Sequence, residues 1–394
     1  MKGGAGAGSL LRRSGFKGEA ALSASFKIGS LQASCYRYPL ATPVVTSFGR
    51  MNDRPALFVR ADDEDGAHGF GEVWCNFPAV GAEHRARLIN EVLAPMLAAR
   101  AIAHPSEVFD YLTAATSVMA LQAGEQGPFA QAIAGIDIAL WDLFARRAKQ
   151  PLWKMLGGTS PRMRAYASGI NPDGCVQVAE AAMRRGHRAF KLKIGFGAER
   201  DRDNLRSLRG LIGDMKLAVD VNQGFSLGQA LDEAPKLDEF GLMWLEEPLR
   251  ADRPWSEWRS LRERVSTPLA GGENLAGRDV FAAALSEGVL SILQPDAAKW
   301  GGITGCLAVA REVIGAQRTY CPHFLGGGIG LLASAHLLAA CNGGWLEVDC
   351  NDNPLREQFC GSVAGVRDGE LVLTEEPGLG IEPDLSSIAK YRTL

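Results

Sequence analysis

The sequence predicts an α/β protein: an N-terminal α+β capping domain followed by a modified (β/α)8 barrel of the (β/α)7β kind. Three observations carry this. The chain has 394 residues, more than a single domain of roughly 100 to 200 residues accounts for unless one unit is a barrel. After Pro151, short β-rich runs end at Ser168, Lys193, Asn222, Glu247, Glu273, Asp296, His323 and Asp349 with helical stretches between them, a period of about 25 residues that gives a parallel sheet. Acidic and basic side chains stand at the C-terminal ends of these runs, the face where barrels of this kind carry their chemistry.

Taken in order, residues 1–25 are rich in glycine, alanine and serine and read as a disordered extension or as a start codon called too early; Leu10 and Leu11 make too short an apolar centre for a secretory signal. From Phe26 to Glu72, runs such as 56–61 broken by Asp65-Gly66 read as an antiparallel meander. From Ala82 to Ala148 the apolar spacing is helical, and together these residues, 26–150, make the capping domain. Residues 151–360 form the barrel. The last segment, 361–394, departs from the repeat, with a two-strand ribbon over Val363–Leu373 turning at Asp368-Gly369, and is expected to return to the capping domain.

Composition excludes several classes. With 42 basic and 45 acidic residues the formal charge is −3 and there is no basic stripe, so neither nucleic acid nor an anionic membrane is expected as a partner. The most apolar stretch, Gly330–Cys341, is too short to span a bilayer. Eight cysteines without a C-x-x-C pair read as reduced thiols in a cytoplasmic protein. The expected partner is a small-molecule carboxylate, and the expected assembly is a homo-oligomer, between dimer and octamer.

Asp220, Glu246 and Glu273 end three consecutive predicted strands, so their carboxylates converge and need a cation between them. An all-oxygen set with no nearby cysteine or histidine suits Mg²⁺, one per subunit, with Mn²⁺ able to substitute. Lys191 and Lys193 are two apart on a strand and share a face. The like-charged neighbour and an adjacent metal are expected to lower the pKa of Lys193, the candidate base. His323 and Asp296 end adjacent strands and read as a dyad in which the carboxylate orients the imidazole. Glu347 ends the eighth strand in an apolar run; it reads either as a protonated hydrogen-bond donor to an oxyanion or as a carboxylate paired with a lysine across the mouth.

These motifs resemble the enolase superfamily, and within it the mandelate racemase group. The resemblance runs from about Phe26 to the end. It rests on the K-x-K at Lys191 and Lys193, the D-x-N at Asp220 and Asn222, the E-E-P at Glu246, the G-E-N at Glu273 and P-D-x-x-K-x-G-G from Pro295 to Gly302, with Ala134–Asp142 and Pro151–Gly158 in support. It implies that Asp220, Glu246 and Glu273 bind Mg²⁺ and that Lys193 and His323, backed by Asp296, serve opposite faces of the substrate. Glu347 resembles the oxyanion partner. The loops 42–54 and 74–84 resemble specificity lids, with Arg50 and Trp74 as substrate contacts beside Ser47, Asn52, Arg54, Asn76 and His84; Asn222 is a further substrate contact. The shared reaction is removal of the α-proton of a carboxylate through an enediolate. The polar lids tilt the reading to a sugar-acid dehydratase, with a racemase or epimerase as the alternative and a catalytically silent relative as the remote one.

Overall fold

The computed structural model describes residues 25–45, 49–98, 100–360 and 365–394; the expectation for residues 1–25 falls almost wholly outside them. β1 (Phe26–Val45) and β2 (Arg50–Asp63) pair antiparallel, and β3 (His68–Val73) and β4 (Ala101–Ile102) complete a sheet in the order β3-β2-β1-β4. The expected lid 42–54 is therefore largely paired strand, joined in the register Val44 to Met51 and Val45 to Arg50; Ser47 lies outside the described residues.

Helices α1 (Gly81–Arg87), α2 (Ala94–Leu97), α3 (Pro105–Ala123) and α4 (Gln126–Arg147) follow. The chain starts α3 where the His104 side chain accepts from Ser106 N–H and Pro105 takes the first turn, and ends it at left-handed Gly124. α4 lies tight on β3 because Gly71 has no side chain: a Cβ there would strike the backbone of Gly135 and Ala139. By length and composition α4 is apolar enough to cross a membrane, yet 78% of its apolar window is buried inside the protein, as for a core helix. Asp137 and Asp142 interrupt its apolar run. Those two carboxylates fasten the helix. Asp137 accepts from Thr304 N–H (2.9 Å) and Oγ1 (2.6 Å), and Asp142 from the amides of Phe70 (2.8 Å) and Leu379 (2.7 Å).

After α5 (Leu152–Met155) come the eight barrel strands: β5 (Arg162–Ile170), β6 (Ala189–Lys193), β7 (Lys216–Asp220), β8 (Leu245–Glu246), β9 (Leu269–Gly271), β10 (Ile292–Leu293), β11 (Thr319–Tyr320) and β12 (Leu346–Asp349). Neighbours pair parallel from β12 through β5 to β11, and Gly344 N–H donating to Tyr320 O (2.8 Å) ties the two ends of the sheet. Helices α6 (Cys175–Arg184), α7 (Ala198–Ile212), α8 (Leu227–Leu237), α9 (Trp255–Arg262), α10 (Arg278–Glu287), α11 (Gly302–Gly315) and α12 (Gly328–Cys341) follow the first seven strands, and α13 (Pro354–Cys360) follows β12.

Strands β9 to β11 stop two or three residues short of Glu273, Asp296 and His323. Gly272 takes φ 135°, and Pro295 and Pro322 have no N–H to give the ladder. The ribbon at Asp368-Gly369 exists, with Arg367 bridged to Glu370, but β13 (Glu370–Val372) pairs with β5 of the barrel; beyond it the chain meets the capping domain, where Leu379 N–H donates to Asp142 (2.7 Å), Glu382 pairs with His68 of β3 (2.9 Å) and Thr393 N–H donates to Cys35 O (2.8 Å).

Candidate active site

Parallel register sets Lys193 beside Asp220 and Asp220 beside Glu246 on β6, β7 and β8. Glu273 follows β9, and Asp296 and His323 follow β10 and β11. Beneath them lies an apolar floor of Tyr166, Ala189, Ala218, Trp244, Ala270, Ile292 and Cys321. Alternation sends Lys191 and Lys193 inward and Leu192 into the core under the helices. Backbone strain gathers at the same rim: Asn222, Gln223 and Glu247 all take positive φ without being glycine.

The charges interlock. Lys193 Nζ donates to Asp220 Oδ2 (2.9 Å) and Asn222 Oδ1 (2.5 Å). Lys191 Nζ meets Glu246 Oε1 (2.5 Å) and Glu347 Oε1 (2.8 Å). His323 lies between two carboxylates, Asp296 Oδ2 at Nδ1 and Glu273 Oε2 at Nε2, both at 2.7 Å. At the other end of Glu246, Oε2 accepts from Trp244 Nε1 (2.9 Å) and Gln294 Nε2 (2.7 Å). Asp220, Glu246 and Glu273 are thus spanned by a lysine on one flank and a histidine on the other.

Burial on its own would lower Lys193, but Asp220 turns the balance and raises it above the ordinary lysine range, against the expected depression. The expectation counted Lys191 and an adjacent metal and overlooked that Asp220 would pair directly with the ammonium. Burial would also lower His323, yet Glu273, Glu347 and Asp296 raise it well above the usual imidazole value. Of the two readings of Glu347, the paired one holds: burial raises it, but Lys191 and His323 bring it below the ordinary carboxylate value, and Ser168 and the Phe324 amide also bind it. A protonated Glu347 is not what this surrounding favours.

Five buried carboxylates at the mouth, Asp220, Glu246, Glu247, Asp296 and Glu347, and the partly buried Glu273 face Lys191, Lys193, Lys299 and His323. Even with the imidazole charged, two negative charges lack a partner. The strain shows in the groups themselves: burial and the neighbouring Asp220, Glu347 and Glu273 push Glu246 up to about 7 against Lys191, and burial with Glu273 and Asp220 pushes Glu247 well up. A hard divalent cation would supply what is missing in charge and donor type. Among the described residues no three carboxylate, imidazole or thiol groups are gathered round one point as they stand. Asp220, Glu246 and Glu273 each keep an oxygen on Lys193, Lys191 or His323, so His323 is near the trio in space although far from it in sequence.

The remaining expected contacts divide. Trp74 sits at the rim, its amide on Ala298 O (3.0 Å) and its ring 4.7 Å from Lys299 Nζ, which in turn reaches Asn274 Oδ1 (2.8 Å). Asn76 donates to Leu325 O (2.7 Å) in the loop after His323. Arg50 is exposed at the start of β2, and His84 pairs with Glu125 (3.1 Å) away from the mouth. Sequence reasoning missed Glu247, Lys299, Gln294 and Glu72. Glu72 accepts from the amides of Gly327 (2.5 Å) and Gly330 (2.8 Å), and a Cβ on Gly327 would collide with its carboxylate, which explains the glycine run after His323.

A capped barrel with three carboxylates on consecutive strands, a lysine on one flank and a histidine on the other, is the build of an enzyme that takes a proton from beside a carboxylate. The chain belongs to the mandelate racemase / muconate lactonizing enzyme family of the enolase superfamily: residues 30–157 match that family's N-terminal domain, and residues 175–387 match the enolase C-terminal domain-like family. It is 51% identical to a mandelate racemase/muconate lactonizing enzyme from Bordetella bronchiseptica RB50 of known crystal structure, with a TM-score of 0.89 over 93% of this chain and 100% of that one. A racemase from Streptomyces coelicolor A3(2), solved with bound magnesium, is 27% identical with a TM-score of 0.84 over 93% of this chain and 100% of that one. The arabinonate dehydratase of Saccharolobus solfataricus is 29% identical over 328 residues, 81% of this chain and 86% of that protein.

Proposed function

We propose that this enzyme is a sugar-acid dehydratase, removing the proton α to the carboxylate of a hydroxylated acid and releasing the β-hydroxyl, with Mg²⁺ held by Asp220, Glu246 and Glu273. The observation that carries the reading is the placing of Lys193 and His323 at the two ends of that carboxylate arc, each within hydrogen-bond distance of it. When bound, the ion would supply Lewis-acid stabilisation for the substrate carboxylate and the enediolate. Lys193 Nζ would take the α-proton once Asp220, the group that holds it protonated, turns to the ion, and Asn222 steadies it. Lys191, held by Glu347, is the cation for the substrate carboxylate. His323 Nε2 gives a proton to the departing hydroxyl while Asp296 fixes Nδ1–H. Trp74 and Lys299 shield the rim from water. The resemblance to a dehydratase favours loss of the hydroxyl, and the resemblance to a racemase supports the alternative in which His323 returns the proton to the opposite face.

The test is incubation of a panel of sugar acids and α-hydroxy acids with Mg²⁺ in D₂O, followed by mass spectrometry of recovered acid and assay of 2-keto product. Keto acid formed by the unaltered enzyme, with His323→Asn exchanging the α-proton but forming no product, is the expected result. Deuterium gained with inversion and no keto acid establishes the racemase instead.

A further inference from the structure

Three cations at the mouth touch the carboxylate arc directly, and a fourth does not. Lys191 meets Glu246 at 2.5 Å, Lys193 meets Asp220 at 2.9 Å and His323 meets Glu273 at 2.7 Å. Lys299, in the turn after β10, keeps its ammonium 3.8 Å from Glu273 Oε1, beyond hydrogen-bond reach. A lysine stem is flexible, and a carboxylate with little water around it draws any cation beside it, so another attraction must hold the two apart.

Two groups supply it. Lys299 Nζ donates to Asn274 Oδ1 (2.8 Å) and lies 4.7 Å from the centre of the Trp74 ring, whose electron-rich face attracts a cation. Asn274 is held in one orientation: its Nδ2 donates to Glu247 (2.9 Å) and to Glu273 Oε1 (3.1 Å), so its oxygen must face the other way, toward Lys299. Trp74 is fixed as firmly. Its N–H donates to Ala298 O (3.0 Å), one residue before Lys299, and its ring has a second cation at 5.8 Å, the buried Arg85, which Gly81 O (2.7 Å) and Phe77 O (3.2 Å) hold in place. The turn that presents Lys299 is anchored too, since Ala298 N–H (2.8 Å) and Lys299 N–H (3.2 Å) both donate to Asp296 Oδ1. Trp74 follows β3 of the capping sheet and Asn274 follows β9 of the barrel, so the ammonium is held from both domains.

We infer that Trp74 is a positioning residue for the metal site: with Asn274 it holds the Lys299 ammonium off Glu273 and so leaves that carboxylate to the ion, although its own polar contacts are with Ala298, Lys299 and Arg85. This rests on the reading of Asp220, Glu246 and Glu273 as the ligands of Mg²⁺. Without the ring, the ammonium closes on Glu273 and competes for it. Without the ammonium, the ring has nothing to restrain. The test is calorimetric titration of Mg²⁺, at one pH and ionic strength, into the full-length parent, Trp74→Leu, Lys299→Met and the double variant. Trp74→Leu should weaken Mg²⁺ binding about threefold to tenfold, Lys299→Met should bind at least as tightly as the parent, and adding Trp74→Leu to Lys299→Met should change the affinity by less than about twofold. Trp74→Phe keeps a ring face and should lose less than Trp74→Leu; it also serves as the single variant should Trp74→Leu fail to fold. An unchanged affinity in Trp74→Leu overturns the inference, and so does an equal loss with and without Lys299, which is what a merely structural Trp74 would give. The metal reading fails separately: Mg²⁺ bound by the parent with no effect of Trp74→Leu sinks only the positioning, whereas no binding by the parent sinks the metal site and the positioning with it.

Discussion

One group of carboxylates lies at the barrel mouth and another along the seam between capping domain and barrel. In the seam, Asp137, Asp142 and Glu72 accept from backbone amides: Thr304, Phe70 with Leu379, and Gly327 with Gly330. At the mouth, Asp220, Glu246 and Glu273 are met by the side-chain cations Lys193, Lys191 and His323. Perturbation by itself does not separate them, since burial, opposed by those N–H donors, pushes Asp137 and Glu72 up to about 7, the value Glu246 also reaches. The partner does. An amide is fixed in place and makes a joint, whereas an ammonium or imidazole can exchange partners and move a proton.

The largest effect should come from the cations of the mouth. Lys193→Ala and His323→Asn should each lower turnover by about 10² to 10⁴-fold with the melting temperature nearly kept, while Asp142→Asn should leave turnover within a few-fold and lower stability by about 3 kcal/mol, since its NH₂ cannot accept from one of the two buried amides and the charge pair with Arg146 at 3.0 Å is lost. Turnover kinetics and urea melts on the three variants check this, and an inactive but fully stable Asp142→Asn would erase the distinction.

The seam also depends on close approach. Gly71→Ala drives a methyl into the backbone of α4 and should cost about 3 kcal/mol or more. A melt unchanged within error would mean that α4 can shift away from β3.

Next come the supports of Glu246. Trp244→Phe and Gln294→Leu each remove a donor to Oε2 and should weaken Mg²⁺ binding about 10-fold or more, an effect of the size seen for outer partners of ligands. Calorimetric affinity is the readout; if neither variant shifts it, Oε2 does not act through those donors.

A separate effect concerns acid. His187 and His336 are buried and held down to about 4, the first by burial and then Arg185, Arg356 and Arg188, the second by burial against one backbone bond to Leu379. A histidine depressed on folding takes its proton first in the unfolded chain. Stability should therefore be full above about pH 6.5 and fall toward pH 4, by up to about 3 kcal/mol for each group. Urea midpoints across that range test it, and His187→Phe should flatten the slope; a midpoint independent of pH contradicts the burial argument.

The sequence revealed the mouth better than the seam, and for a physical reason. Strand-end spacing is local, so Lys193, Asp220 and Glu246 could be placed side by side from a repeat of strand and helix, and the paired strands bear that register out. Glu72 and Arg54 find their partners 255 and 295 residues away, at Gly327 and Asp349, and no local pattern announces such contacts. Glu247 was lost to alternation: beside an inward Glu246 it should face out, but a positive φ turns it back to Asn274 (2.9 Å). Asp137 and Asp142 sit in an apolar run much as Glu246 does, and only the amides that meet them show that they are joints.

Calorimetric titration of Mg²⁺ into the parent enzyme, Glu246→Gln and Asp142→Asn tests most directly that the mouth and not the seam holds the cation. One ion per chain in the parent, affinity at least about 100-fold weaker in Glu246→Gln, and an unchanged isotherm in Asp142→Asn are predicted. Parent-like binding by Glu246→Gln, or no binding by the parent, would contradict the account.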